Sequence, residues 1–149
     1  MKTRTILKWA SAPLLMSGFL LANAAQSQAA VTCVVTHSAP ASVNVGESLG
    51  VTFSADVSGT PNANHECTIK DLVYSWTATV TGSDGGTATY SGTGPSASIS
   101  HVANNLCQSY TVSASFSVSY NTSSECQVGG SSVNGSDSAG IEVNATPCS

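Results

Sequence analysis

The longest regular pattern in the chain is an alternation of apolar or aromatic residues with hydroxyl residues over positions 110–120. In a β-strand, successive side chains point to opposite faces, so a period of two separates the two kinds of residue. One face would carry only serine and threonine, and the other would carry Tyr110, Val112, Ala114, Phe116, Val118 and Tyr120. The pattern therefore predicts a strand with one buried face and one solvent-exposed face.

The same alternation recurs over residues 51–57 and 72–80, and it predicts two further long strands. Shorter strands are predicted at residues 31–36, 42–45, 87–91, 97–102 and 141–145. Clusters of glycine, proline, asparagine and aspartate separate these segments, and no stretch has a helical period. About seven to eight short strands over a chain of this length predict an all-β fold, an antiparallel β-sandwich.

The first residues have the three-part pattern of a secretory signal peptide. Basic residues precede an apolar run at positions 12–22, and small residues follow around Ala24. The run is shorter than the roughly 20 residues of a membrane-spanning helix. We expect cleavage after Ala24, with a later cut near Ala30 as an alternative, and a single domain over residues 25–149. The mature chain would be secreted or periplasmic, with display at the cell surface left open.

Removal of the signal peptide would change the charge balance. Lys70 would be the one remaining basic residue against eight acidic residues, a net charge of −7 with neutral histidines. Nucleic acids and anionic lipids need clustered lysine and arginine. The composition therefore excludes nucleic acid as a partner, and the absence of a second long apolar run argues against membrane insertion.

All five cysteines follow the predicted signal peptide, at Cys33, Cys67, Cys107, Cys126 and Cys148. An exported chain meets oxidising conditions, which favour disulfide bonds. Because the count is odd, one thiol stays free or pairs with another chain.

Three segments resemble the immunoglobulin-like superfamily, and within it the polycystic-kidney-disease (PKD) type of bacterial extracellular domain. These are the opening over residues 40–48 that leads into 51–55, the tryptophan motif at 74–76, and the start of the long strand at 110–112. The resemblance covers residues 39–145 and implies an immunoglobulin-like sandwich with a non-catalytic role.

Two features depart from these families. Residues 77–79 replace the Gly-Asp-Gly that often follows the tryptophan in PKD-type domains, and the mid-strand cysteines of antibody domains are missing. The resemblance also sorts the cysteines by the end of the sandwich at which their loops lie. It implies two disulfides, Cys67–Cys126 at one end and Cys107–Cys148 at the other, because bridged Cα atoms lie within about 7 Å. Cys33 would then be the free or intermolecular thiol.

The sequence has no recognised catalytic motif and no paired metal-ligand spacing. A segment at residues 135–140 resembles a serine-protease nucleophile loop, but the chain is too short for the two-barrel fold that this loop serves. We therefore predict that the protein is not an enzyme, with a small hydrolase as the third-ranked alternative.

Five carboxylates map to the loop end that would hold Cys67 and Cys126: Asp56, Glu66, Asp71, Glu125 and Asp137. Calcium binds several oxygen ligands, so these residues are candidate metal ligands. The alternative is that they simply solvate loops. No other cofactor is predicted.

The solvent-exposed faces of the two long strands predicted at residues 72–80 and 110–120 form the second candidate site. In the immunoglobulin-like arrangement these strands are neighbours, which brings together Ser75, Thr77, Thr79, Thr111, Ser113, Ser115, Ser117 and Ser119. Such a face could contact a protein, a glycan or a second copy, since short side chains lose little entropy when ordered. The alternative is an ordinary solvated sheet face.

The N-terminal strand with Cys33 is the third candidate, because it could add to a neighbouring sheet. Together these features predict a non-catalytic structural, assembly or protein-interaction module. The alternative is a secreted ligand- or glycan-binding domain that depends on calcium or acts without it.

Overall fold

A computed structural model describes residues 30–61, 66–103, 109–126 and 131–144. The predicted signal peptide, the start of the predicted domain at residue 25 and the predicted Cys107–Cys148 disulfide lie outside the described residues.

Within these ranges the chain forms eight β-strands and no helix. The strands are β1 (Ala30–Ser38), β2 (Ser42–Asn44), β3 (Val51–Thr60), β4 (Ile69–Gly82), β5 (Thr87–Thr93), β6 (Ser96–Ile99), β7 (Ser109–Thr122) and β8 (Ser131–Asn144). Each predicted strand has a counterpart, so the all-β class is confirmed. Among the residues described, no helix has the length and apolarity needed to cross a membrane.

The strands form two sheets with the orders β1-β3-β6 and β2-β8-β7-β4-β5. Every strand pair is antiparallel except β2 and β8, which are parallel. The parallel pair arises because the chain changes sheets between Ser38 and Ser42, so that β1 and β2 lie in different sheets. The purely antiparallel prediction is therefore wrong at this one pair.

The core lies between the two sheets and follows the predicted alternation. Along β7 the apolar residues from Val112 to Val118 are buried, while the hydroxyl residues between them are exposed. Phe116 is 1% exposed, and Phe53 of the other sheet is fully buried. Burial of one such side chain contributes about 1.5–3 kcal/mol to the free energy of folding. The inward-facing residues of β7 therefore contribute much of the stability of this part of the core.

Trp76 is half-buried and packs against the edge of this core. Its indole ring lies over Gly92 of β5, where a Cβ atom would stand only 2.5 Å from Cζ2. The missing side chain at Gly92 therefore makes the space that the ring occupies.

The last strand is much longer than its sequence predicts. The Gly-Gly-Ser-Ser sequence at residues 129–132 is typical of a turn, and a strand is predicted only at 141–145. In the structure β8 begins at Ser131 and pairs with β7 from Tyr120↔Ser131 to Ser109↔Glu142. Its inward positions carry small or polar residues, Gly135 and Asp137 among them, so the apolar alternation that would mark a strand is missing. The segment over residues 135–140 is thus a strand and not an exposed loop.

The predicted Cys67–Cys126 disulfide is present, with Cα atoms 4.8 Å apart. It joins the segment before β4 to the segment after β7. Backbone hydrogen bonding supports this end, since Ser123 N donates to Thr68 O at 3.0 Å and Thr68 N donates to Ser123 Oγ at 3.1 Å.

Candidate binding face

The outer face of the five-stranded sheet carries the predicted hydroxyl residues as direct cross-strand neighbours. Ser75 of β4 lies opposite Ser117 of β7, and the rows Thr77↔Ser115 and Thr79↔Ser113 follow it. The other two predicted residues, Thr111 and Ser119, lie opposite Thr81 and Val73. The register thus has the arrangement that alternation in the two strands predicts.

Sequence reasoning missed that this face continues onto both flanking strands. The register adds Thr93 and Ser91 of β5 on one side, and Asn134 and Ser136 of β8 on the other. For β5, the alternation over residues 87–91 together with the short turn before it could have predicted the hairpin with β4. The first half of β8 carries no such signal, because its residues are mostly serine, asparagine, glycine and aspartate, without apolar alternation.

A shallow depression of about 770 Å³ crosses the middle of this face. Two cross-strand rows of exposed side chains form its walls: Thr93, Ser75, Ser117 and Asn134 in one row, and Ser91, Thr77, Ser115 and Ser136 in the other. Its floor is the backbone of the row between them, which runs from Gly92 through Trp76 and Phe116 to Gly135. The Phe116 side chain itself is buried on the opposite side of the sheet.

Strand geometry sets the size of this transverse groove. It crosses four strands at spacings of about 4.8 Å, which gives a length of about 14 Å, and its walls are two residues apart along each strand, about 7 Å. A narrow, extended polymer segment fits a groove of these dimensions, whereas a compact small molecule would contact only part of its length.

The polar groups that line the groove are hydroxyls and amides, and no ionisable side chain is among its lining residues. Of the eight wall residues, all of which the structure describes, Ser75 alone makes a side-chain hydrogen bond within the protein, from its Oγ to Ser117 O at 3.4 Å. A hydroxyl group both donates and accepts. The groove can therefore bind neutral hydrogen-bonding groups, but its lining offers no nucleophile with an adjacent base.

Three of the five acidic candidates lie near the disulfide end. Glu66 and Glu125 neighbour the two bridged cysteines. Asp71 lies at an irregularity of β4 with φ of 55°, a conformation that aspartate tolerates, and its Oδ2 accepts a hydrogen bond from Asn121 Nδ2 at 3.2 Å. Hydrogen bonds from its own backbone and from two neighbouring serines lower the pKa of Glu125, with a smaller contribution from the charge of Lys70.

The other two acidic candidates lie in the middle of strands, so the structure does not bring the five together. Asp56 lies within β3, opposite Val34. Asp137 lies within β8, opposite Ala114, and its Oδ2 is 2.7 Å from Nδ1 of His37 on β1. In the described part of the chain, no group of three or more histidine, cysteine or acidic side chains is placed to hold a metal.

The His37–Asp137 contact joins the two sheets along the edge where β1 lies beside β8. The hydrogen bond from His37 holds the pKa of Asp137 below its usual range, and the Ser138 backbone N–H, which donates to Oδ1 at 2.8 Å, acts in the same direction. Asp137 faces inward with a partner, which explains why this β8 position is acidic rather than apolar.

Cys33 is the free cysteine of the described residues, and it is half-buried. Its thiol is turned toward β8, since a Cβ atom on Gly135 would stand 2.9 Å from Sγ. Burial, and secondly the charge of Asp56, raise the pKa of this thiol. A crosslink through Cys33 would thus require β1 to move away from β8.

A second, smaller cavity of about 220 Å³ lies at the opposite end from the disulfide, between β5 and the segment after β6. His101 lines it together with Tyr110 and Asp84. His101 is half-buried, and its Nδ1 is 2.9 Å from the Tyr90 hydroxyl. The tyrosine bond thus gives this histidine a structural partner.

Comparisons of the chain with protein-family models, with curated proteins and with solved structures found no match.

Proposed function

We propose that the chain is an exported, non-catalytic immunoglobulin-like module of the PKD type, with a structural, assembly or protein-interaction role. The two-sheet fold and the disulfide are consistent with this class and with an oxidising compartment. The signal-peptide pattern at the N-terminus supports export, with a secreted, periplasmic or cell-surface location.

The uncharged centre of the outer face of the five-stranded sheet, formed by the groove and β5, is the observation that carries this proposal. The chain has eight acidic residues, yet none lines the groove or lies on β5. A partner that covers this area would not have to desolvate a charge, and the short side chains would lose little entropy on ordering. These are favourable conditions for contact with a protein or with a second copy.

Oligomeric state tests the assembly role. Sedimentation velocity of the mature chain, residues 25–149, should show association that increases with protein concentration from about 10 μM to about 1 mM. Cys33→Ser should not abolish it, because the Cys33 thiol faces β8. A monomer at every concentration would contradict self-assembly, and an oligomer that is lost in Cys33→Ser would point to a Cys33 crosslink instead.

A secreted glycan-binding domain is the second candidate function, and the transverse groove favours it. Repeated hydroxyl groups along two parallel walls match the hydroxyl groups of a neutral polysaccharide, whereas the net negative charge of the chain would repel an anionic one. Calcium dependence has less support, because the acidic candidates do not gather at one place.

Affinity electrophoresis separates this candidate from the first. The parent protein should be retarded in native gels that contain a neutral polysaccharide such as dextran, and not in gels that contain alginate. Ser115→Asp places a charge in the groove, while Ser54→Asp places it on the exposed outer face of the other sheet as a matched control. Retardation should be lost only for Ser115→Asp; equal behaviour of the two variants would exclude the groove as the binding site.

A further inference from the structure

β5 is the edge strand of the five-stranded sheet and lacks the features that usually protect an edge. Its seven residues, Thr87–Thr93, include no charged residue and no proline, and its register with β4 is continuous. Natural proteins block such edges with lysine, proline, bulges or covering segments. Among the described residues, no strand pairs with the outer edge of β5. β6 of the other sheet contacts both β4 and β5.

The hydrogen-bond ladder determines which backbone groups of β5 point outward. Gly94 N donates to Tyr74 O at 3.2 Å, and Gly82 N donates to Gly86 O at 2.9 Å. Because hydrogen-bonded and non-hydrogen-bonded pairs alternate in an antiparallel ladder, the even-numbered residues of β5 bond to β4. The N–H and C=O groups of four residues therefore point to the free edge: Thr87, Thr89, Ser91 and Thr93.

We infer that this edge pairs with the β5 edge of a second copy, antiparallel about a two-fold axis at Tyr90. This inference rests on the proposed assembly role and names its partner and its contact. In this register Thr89 pairs with Ser91 of the second copy, and Thr87 pairs with Thr93 of the second copy. All four pairs join outward-pointing residues, and each exchanges two hydrogen bonds, so the seam contains about eight.

The charges near the seam are compatible with a second copy, although the mature chain is expected to carry a net charge of −7. The nearest acidic residue, Asp84, lies in the turn before Thr87. Antiparallel pairing places it beside the Gly94 end of the other copy, so the two Asp84 carboxylates lie at opposite ends of the seam. The pairing thus avoids the like-charge contact that would oppose it.

Pairing would also extend the hydroxyl face across the seam. The row through Ser115, Thr77 and Ser91 would continue into Thr89, Thr79 and Ser113 of the second copy. The four groove strands of each copy, β5, β4, β7 and β8, would then form one continuous surface with two transverse grooves on the same side. A polymer or protein could contact both grooves at once, which raises avidity without new contacts.

Proline substitution tests the seam. Ser91→Pro removes an outward N–H while leaving the ladder to β4 intact, and edge strands tolerate proline at such positions. Both copies lose a hydrogen bond, so the dimer dissociation constant from sedimentation should rise roughly 30-fold if each bond contributes about 1 kcal/mol. Ser91→Ala keeps the N–H and serves as the matched control, with association close to that of the parent.

Mixed cysteine variants test the register without relying on the proline. Thr89→Cys and Ser91→Cys, each in a Cys33→Ser background, should crosslink to one another when mixed under oxidation, because a hydrogen-bonded pair places its Cα atoms about 5.5 Å apart. Peptide mapping should find the 89–91 bridge in preference to 89–89 or 91–91.

The outcomes separate the inference from the proposed function. Association that is equal in Ser91→Pro and Ser91→Ala, or crosslinks without preference for 89–91, overturns the β5 seam but leaves an assembly role. A parent protein that stays monomeric up to about 1 mM overturns both.

Discussion

The close approach of β1 to β8 gives a sharp prediction for Gly135→Ala. A Cβ atom at this position would stand 2.5 Å from the carbonyl oxygen of Cys33, 2.9 Å from its Sγ and 3.0 Å from a methyl group of Val35. Ordinary contacts of this kind are about 3.5–4.0 Å. Because the nearest atom belongs to the backbone, one strand must shift by about 1 Å, and no side-chain rotation can avoid it.

The expected cost follows from the effect of overpacking in a well-packed interior, about 1–3 kcal/mol. Urea unfolding of the oxidised protein measures it, and the midpoint should fall by about 1 M for a typical slope. Gly140→Ala is the matched control, because Gly140 lies on the same strand and an added Cβ would meet no atom within 4 Å. That variant should be neutral or stabilising by about 0.4–1 kcal/mol, since it restricts only the unfolded chain.

A second substitution shows which atom of Cys33 causes the loss of stability in Gly135→Ala. Cys33→Ala in the Gly135→Ala background removes the contact with Sγ but leaves the contact with the carbonyl oxygen. It should therefore restore only part of the lost stability. The reasoning is refuted if Gly135→Ala is as stable as Gly140→Ala, because β1 would then not lie this close to β8.

Three further predictions concern the groups that hold the sandwich together. The pKa of Asp137 is lowered in the folded state, so its contribution to the free energy of unfolding is complete above the unfolded pKa of about 3.9 and is lost as the pH falls through the lower folded pKa. Asp137→Asn should therefore destabilise the protein by less than about 1 kcal/mol at pH 7 and have no effect near pH 2. Urea unfolding at both pH values measures this difference. Loss of the Cys67–Cys126 bridge, which spans 59 positions, should lower the free energy of unfolding by about 4 kcal/mol, measured by urea unfolding of the Cys67→Ala, Cys126→Ala double variant against the oxidised parent protein. Alkylation of Cys33 by iodoacetamide at pH 8, followed by mass spectrometry, should be slower in the folded than in the urea-unfolded protein, whereas equal rates would contradict a thiol whose pKa is raised by burial.

The sequence predicts this fold wherever the inner positions of a strand are apolar. The alternation in β4 and β7 places both their buried faces and their hydroxyl rows in the observed register. The Cys67–Cys126 bridge follows from the order of the loops once an immunoglobulin-like arrangement is assumed. In both examples a pattern within one or two segments predicts the structure once the immunoglobulin-like order of the strands is assumed.

The first half of β8 shows where this reasoning fails. Its inner positions are occupied by Gly135 and Asp137 because the neighbouring β1 requires a missing side chain at one and supplies His37 to the other. Both residues are typical of turns, and only the tertiary contact makes them suitable in a strand. The assignment of Asp137 to the disulfide end has the same cause, since its partner His37 is 100 positions away in sequence.

The same contact explains why the two sides of the five-stranded sheet differ. On one side, β1 lies against β8, where the close approach at Gly135 and the His37–Asp137 bond hold it. On the other side Tyr90 of β5 bonds to His101, but among the residues described no strand pairs with the outer edge of β5. Two-fold pairing uses the same edge on both copies and leaves no β5 edge for a third. Association through this seam therefore closes at a dimer, and the appearance of long filaments would require a different edge.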